Sequence, residues 1–150
     1  MSELRELYQQ VILDHNKNPR NYGRLGHANR HQEGYNPLCG DHLHVYLKLE
    51  GDRIQDISFE GAGCAISRAS ASLMTAALKG QTVAQAECLF RRFHDMVTAD
   101  TGAPVDQAAL GKMAVFAGVR EFPMRVKCAT LAWHTARSAM EGATEPVTTE

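Results

Sequence analysis

The stretch HLHVYLKLEGDRIQDISFEGAGC, His42 to Cys64, decides the fold. Leu43, Val45, Leu47 and Leu49 alternate with more polar residues. Successive side chains of a strand point to opposite faces, so this half reads as a strand with one buried face. Gly51-Asp52 supplies a turn, and Ile54, Ile57 and Phe59 mark the returning strand. The pair is an antiparallel hairpin, expected within a sheet of about three strands. Gly61-Ala62-Gly63-Cys64 then feeds a segment of different character, Ala65 to Leu78, rich in Ala, Ser, Leu and Met, with Gly80 as its stop. Cys64 therefore stands in a glycine loop at the entrance of a helix.

Helical patterns lie on both sides of the hairpin. Leu4, Leu7, Tyr8, Val11 and Ile12 repeat at helical spacing over the first fifteen residues, until Asn18-Pro19-Arg20-Asn21-Tyr22-Gly23 breaks the pattern. Leu4, Leu7 and Ile12 read as core, or as a stripe for a docking partner. Downstream, the capping box Thr82-Val83-Ala84-Gln85 opens a helix with Val83, Ala86, Phe90, Phe93 and Val97 on one face. A short helix is expected from Asp106 to Ala117, stopping near Gly118. Pro123 suits the first turn of a last helix running to about Met140, which puts Cys128 in its early turns. The predicted class is α+β, a small antiparallel sheet packed against several α-helices. One domain spans residues 1–141, and residues 142–150, poor in apolar side chains, are expected to form a flexible tail.

The bulk numbers narrow the function. A chain of 150 residues is one ordinary domain. With 16 Lys plus Arg against 17 Asp plus Glu, the net charge of -1 provides no field to attract nucleic acid or an anionic membrane. Glu3, Arg5 and Glu6 interrupt the N-terminal segment, which reads as neither a signal peptide nor a transmembrane span, so a cytoplasmic location is expected. In that reducing compartment four cysteines point to reactive or metal-bound thiols rather than disulfides.

Three of the cysteines have settings that suit chemistry. In Cys39-Gly40-Asp41 a thiol and a carboxylate two positions apart project to one side of extended backbone, although for this fragment alone a plain Gly-Asp turn is the more ordinary reading. Cys64 meets the amides of a helix N-terminus, whose partial positive charge lowers a thiol pKa. Cys128 has Arg125 three residues earlier and Lys127 adjacent, a bias toward thiolate. Cys88, between Glu87 and Leu89 in mid-helix, reads as a structural or surface thiol; were it a ligand, the site would be all-cysteine and Asp41 a bystander. Three thiolates and one carboxylate make a tetrahedral set that suits zinc. Their separations of 25 (64 − 39) and 64 (128 − 64) positions match no zinc-finger spacing. Among seven histidines, His42 and His44 alternate on the strand and read as surface residues, and His134 carries no ligand signal.

Three segments carry a resemblance: Tyr35-Asn36-Pro37-Leu38-Cys39-Gly40-Asp41; Phe59 to Ser67 with Ser70 and Ser72; and Phe122 to Trp133. Together they resemble the SufU-type branch of the IscU/NifU-like iron–sulfur cluster assembly family. The resemblance implies that Cys39, Asp41, Cys64 and Cys128 hold Zn2+ or, in scaffold members, an iron–sulfur cluster. It also implies that Cys39 accepts persulfide sulfur from a partner cysteine desulfurase of SufS type, within the iron–sulfur assembly machinery. Scaffold members resembling IscU have a histidine before the last cysteine; Lys127 stands here, and an ammonium offers no lone pair. The stretch between Cys64 and Cys128 is also longer than in those scaffolds. Both departures favour a zinc-dependent sulfurtransferase, with a cluster scaffold on the same ligands as the alternative. Arg125 is expected to stabilise the sulfur anion, and Gly40 to let Cys39 swing. A redox-cycling cysteine pair fares worse, because the sequence has no CxxC.

Overall fold

The computed structural model describes residues 2–143 and 145–149, with the backbone alone for residues 2–8 and residue 107. The hairpin forms as expected. Strand β2 (Asp41–Glu50) pairs antiparallel with β3 (Arg53–Ala62), and its alternate residues Leu43, Val45 and Leu47 are fully buried opposite Phe59 and Ile57. A further strand, β1 (Arg30–Asn36), pairs antiparallel with β2 on its other side. Its inward residues are Gln32, Gly34 and Asn36, so no apolar alternation announced it.

Part of the segment expected to form a flexible tail takes a place in the sheet. Val147–Thr148 forms a short strand, β4, parallel to β1 at Gly34 and Tyr35, and the Thr149 amide donates to the Tyr35 carbonyl at 3.0 Å. The sheet thus has four strands in the order β3-β2-β1-β4 rather than about three. The backbone groups on the outer side of β1 recruit the tail, since an open sheet edge offers unpaired donors and acceptors. Thr144 and Glu150, also placed in that tail, lie outside the described residues.

Helix α1 (Ser2–Lys17) matches the N-terminal pattern. The side chains of Leu4, Leu7 and Tyr8 lie outside the described residues, while Val11 and Ile12 pack on the core. Helix α2 (Ala65–Leu78) and α3 (Val83–Thr98) follow, the latter opened by the expected reciprocal box between Thr82 and Gln85. The short helix of residues 106–117 resolves into one turn, α4 (Gln107–Leu110), and a 3-10 helix, Gly111–Glu121, that runs through Gly118. Its Met113, Val115, Phe116 and Val119 are buried, so tertiary packing overrides the glycine stop.

Helix α5 (Pro123–Glu141), ended by Gly142 at φ 72°, crosses the inner face of the sheet. It comes so close to β1 that a methyl group on Gly34 would collide with the Thr135 hydroxyl. Trp133 stacks on Phe93 with ring centroids 4.7 Å apart, and its indole N–H donates to Ser70 Oγ at 3.2 Å. One core therefore joins the sheet, α2, α3 and α5, and fixes the strand ends near α5 and the α2 entrance. Among the described residues no helix is long and apolar enough to cross a membrane.

Candidate metal centre

Three chain segments converge at the end of the sheet where α2 begins. The turn between β1 and β2 is closed by the Cys39 amide donating to the Asn36 carbonyl at 3.2 Å, with Asn36 and Asp41 paired across it. Gly40 completes the turn at φ 73°, a left-handed conformation that glycine adopts without strain. Cys39 stands half-buried on this turn, and Asp41, only 2 % exposed, begins β2.

Asp41 reaches across to β3's exit. Its Oδ1 accepts the Cys64 amide at 2.8 Å, and a Cβ on Gly63 would lie only 2.8 Å from that oxygen. Gly61, at φ 133°, likewise has no room, since a side chain there would strike the His42 carbonyl. The glycines before Cys64 therefore exist to admit the Asp41 carboxylate and the β2 backbone. Cys64 is the N-cap of α2, its sulfur accepting the Ser67 amide at 3.4 Å, and its thiol lies 3.9 Å from Asp41 Oδ2.

Cys128 arrives from α5, fully buried, with its Sγ 3.1 Å from Cys39 Sγ. Ligand atoms of Cys39, Asp41 and Cys128 all lie within 4.8 Å of one another. Asn36, also fully buried, donates from Nδ2 to Cys128 Sγ at 3.6 Å, a contact that sequence reasoning missed. A signal existed: the residue before Pro37 is held extended, and here that strand position faces the core. All four cysteines are free thiols, and Cys88 is exposed on α3, away from this cluster. Arg125 is exposed, and among the described residues its guanidinium makes no hydrogen bond or ion pair.

The thiols do not share their charge evenly. Cys64 is pushed down to about 6, first by a hydrogen bond with Cys128 and then by the Ser67 and Ile66 amides, against burial and the Asp41 carboxylate. Cys128 moves upward, because it donates to Cys64, is buried, and lies against Cys39 and Asp41. This corrects the expectation of a thiolate-biased Cys128. The helix field fades within the first turn, and Cys128 lies beyond it, buried against two other thiols and the Asp41 carboxylate.

The donor set fits a soft divalent ion. Tetrahedral zinc–sulfur bonds of ~2.3 Å hold sulfurs roughly 3.8 Å apart, a small opening from the observed Cys39–Cys128 contact. Two buried polar atoms beside the thiols, Asn36 Oδ1 and Ser67 Oγ, also lack a hydrogen-bond partner among the described residues. Crowding several acidic groups without a bonded cationic side chain is costly unless a cation joins them.

An α+β domain gathering three thiols and a carboxylate at one sheet end defines a class of thiol-rich, metal-binding type. The chain belongs to the NifU-like N-terminal domain family, whose model matches residues 7–129. It is 45% identical over 133 residues to the zinc-dependent sulfurtransferase SufU of Bacillus subtilis (strain 168), covering 88% of each chain. It is also 40% identical over 141 residues to the iron–sulfur cluster assembly scaffold protein IscU of Streptococcus pyogenes serotype M1, covering 94% of this chain and 87% of that one. A solved structure of a candidate SUF-system scaffold protein from Fervidobacterium islandicum AW-1 superposes with a TM-score of 0.80 at 36% identity, covering 87% and 94% of the two chains. The family and fold read from the sequence are borne out.

Proposed function

We propose that this protein is a zinc-dependent sulfurtransferase of iron–sulfur cluster biogenesis, which takes persulfide sulfur from a cysteine desulfurase of SufS type onto Cys39. The observation that carries the reading is the meeting of Cys39, Asp41 and Cys128, with Cys64 bonded to Asp41 through its amide. Likeness to the Bacillus sulfurtransferase supports the zinc-dependent reading. Cys39, Asp41, Cys64 and Cys128 would hold the ion. Zinc at such a site supplies thiolate at neutral pH, where a free thiol of pKa ~8.5 is mostly protonated.

The chain's own residues divide the work. Cys39 is half-buried on a turn whose Gly40 position is open, with no atom near a notional Cβ. The turn can therefore carry the sulfur outward while Asp41, tied to the Cys64 amide, stays in place. The Cys39 thiolate attacks the outer sulfur of the partner's persulfide. A new S–S bond forms on Cys39, the old one breaks, and its electron pair leaves on the desulfurase cysteine as thiolate. Arg125, exposed on the first turn of α5, is a cation available to the anionic sulfur as it moves outward.

The test mixes zinc-loaded protein with a cysteine desulfurase and cysteine. Alanine release should accelerate and a persulfide should appear on Cys39. Cys39→Ser should abolish the persulfide, and Arg125→Ala should slow transfer while leaving zinc content intact. Full sulfur acceptance by Cys39→Ser would sink the assignment.

A second reading, a scaffold that assembles an iron–sulfur cluster on the same ligands, draws on the likeness to proteins named as scaffolds. Iron and acid-labile sulfide in anaerobically purified protein would favour it; stoichiometric zinc without sulfide counts against it.

A further inference from the structure

The outer face of the sheet, opposite the core, groups imidazoles and phenols among its charged side chains. His31, Glu33 and Tyr35 of β1 face outward beside His42, His44 and Tyr46 of β2, and Glu33 stands directly across from His44. Ligand atoms of Glu33, His42 and His44 all lie within 4.8 Å of one another. His42 Nε2 is 3.2 Å from Glu33 Oε2, and the rings of His42 and His44 lie 4.9 Å apart.

The geometry points to a second cation site, formed by Glu33, His42 and His44, for a first-row divalent transition ion such as Zn2+. Two imidazoles and a carboxylate are borderline nitrogen and oxygen donors that suit zinc and its neighbours, and three protein ligands leave positions open to water or a further ligand. Bonds of ~2.1 Å at tetrahedral angles place donor atoms roughly 3.4 Å apart. The ion replaces the proton shared between His42 and Glu33, so that contact need hardly change.

Two neighbours orient the ligands. His31 Nε2 lies 2.9 Å from His44 Nδ1, a contact that fixes the His44 ring, and Tyr35 donates to Glu33 Oε2 at 2.5 Å while stacking on His42 with centroids 4.3 Å apart. Ligating histidines characteristically bond through their other nitrogen to a fixed partner, and ligating carboxylates are themselves hydrogen-bonded. The frame beneath is rigid, because Leu43 and Val45, fully buried on the opposite face, hold the β2 register. None of these ligands is a thiol, so the inference stands or falls apart from the thiolate centre.

Equilibrium dialysis of the full chain, preloaded with one zinc ion, against Zn2+ tests this. Wild type should take a second ion. His42→Ala/His44→Ala and the more conservative His42→Gln/His44→Gln should take none beyond the first, with unchanged circular dichroism. His31→Ala should weaken the second site about tenfold by removing its positioning partner, while His27→Ala leaves it unchanged. The inference is overturned if wild type takes only one ion or if the second persists in both double variants. It is also overturned if Cys39→Ser loses both ions together.

Discussion

Gly63 has no space for a methyl group, because Asp41 Oδ1 occupies it. Gly63→Ala should therefore push the carboxylate aside, weaken its bond to the Cys64 amide, and lower zinc retention against a chelator by about tenfold or more. Wild-type retention in that variant would show that Asp41 is not held by this loop. The thiols give a second expectation at the same scale. In metal-free Cys88→Ser protein at pH 7, Cys64, held to about 6, should react with iodoacetamide well before Cys128. Peptide mapping after short exposure reads the order, and faster labelling of Cys128 would reverse the charge assignment. Cys39, Asp41, Cys64 and Cys128 were singled out by their loop and helix-entry settings together with the resemblance that implies them as ligands, and their side chains lie at one end of the sheet. Asn36 was not singled out, since the extended backbone that Pro37 imposes does not reveal that α5 brings Cys128 against its side chain.

Elements formed where their local signals agreed. The capping box of α3 pairs Thr82 Oγ1 with the Gln85 amide at 3.1 Å and Gln85 Oε1 with the Thr82 amide at 2.9 Å. Thr82→Ala should cost about 1 kcal/mol, seen as a lower denaturation midpoint with unchanged slope. A slope change would mean a wider rearrangement. The hairpin was legible because Leu43, Val45 and Leu47 alternate with a period of two, and α2 because its composition changes abruptly after Cys64. β1 was illegible because its inward positions carry Gln32, Gly34 and Asn36, chosen for α5 and the thiols rather than for apolar burial. β4 was illegible because two residues carry no periodicity, and only the exposed side of β1 calls them into a ladder. His42 and His44 were read as plain surface residues; strand pairing with β1 is what set Glu33 against them.

At the scale of the whole molecule, the thiol cluster ties the β1–β2 turn, the α2 entrance and α5 together, so a shared ion should cross-link three parts of the fold. Removing zinc should lower the melting temperature, and calorimetry with and without a chelator reads it. An unchanged transition would mean that the ion contributes nothing to the fold. Three histidines, His15, His31 and His134, are held below their ordinary range, and pH acts through the two that lie between packed helices. Burial lowers His15, whose Nδ1 is 2.7 Å from Ser72 Oγ between α1 and α2, and burial followed by His94 and Arg137 lowers His134. The unfolded chain binds protons more readily at both, so their contribution is complete above the unfolded pKa of ~6.5 and is lost as pH falls below it. His15→Gln/His134→Gln should show a smaller fall in melting temperature between pH 7.5 and 5.5 than wild type; an equal fall would remove these residues from the account. The sequence by itself determined the hairpin and the main helices, because periodicity, capping and glycine punctuation act over a few residues, and it offered the sulfur and carboxylate groups as candidates. Only the tertiary structure decided which groups meet, since Cys39 and Cys128 are 89 positions apart and touch because α5 crosses the sheet against β1. It likewise decided their charges: a buried sulfur's proton affinity depends on neighbours that the chain brings together only after it folds.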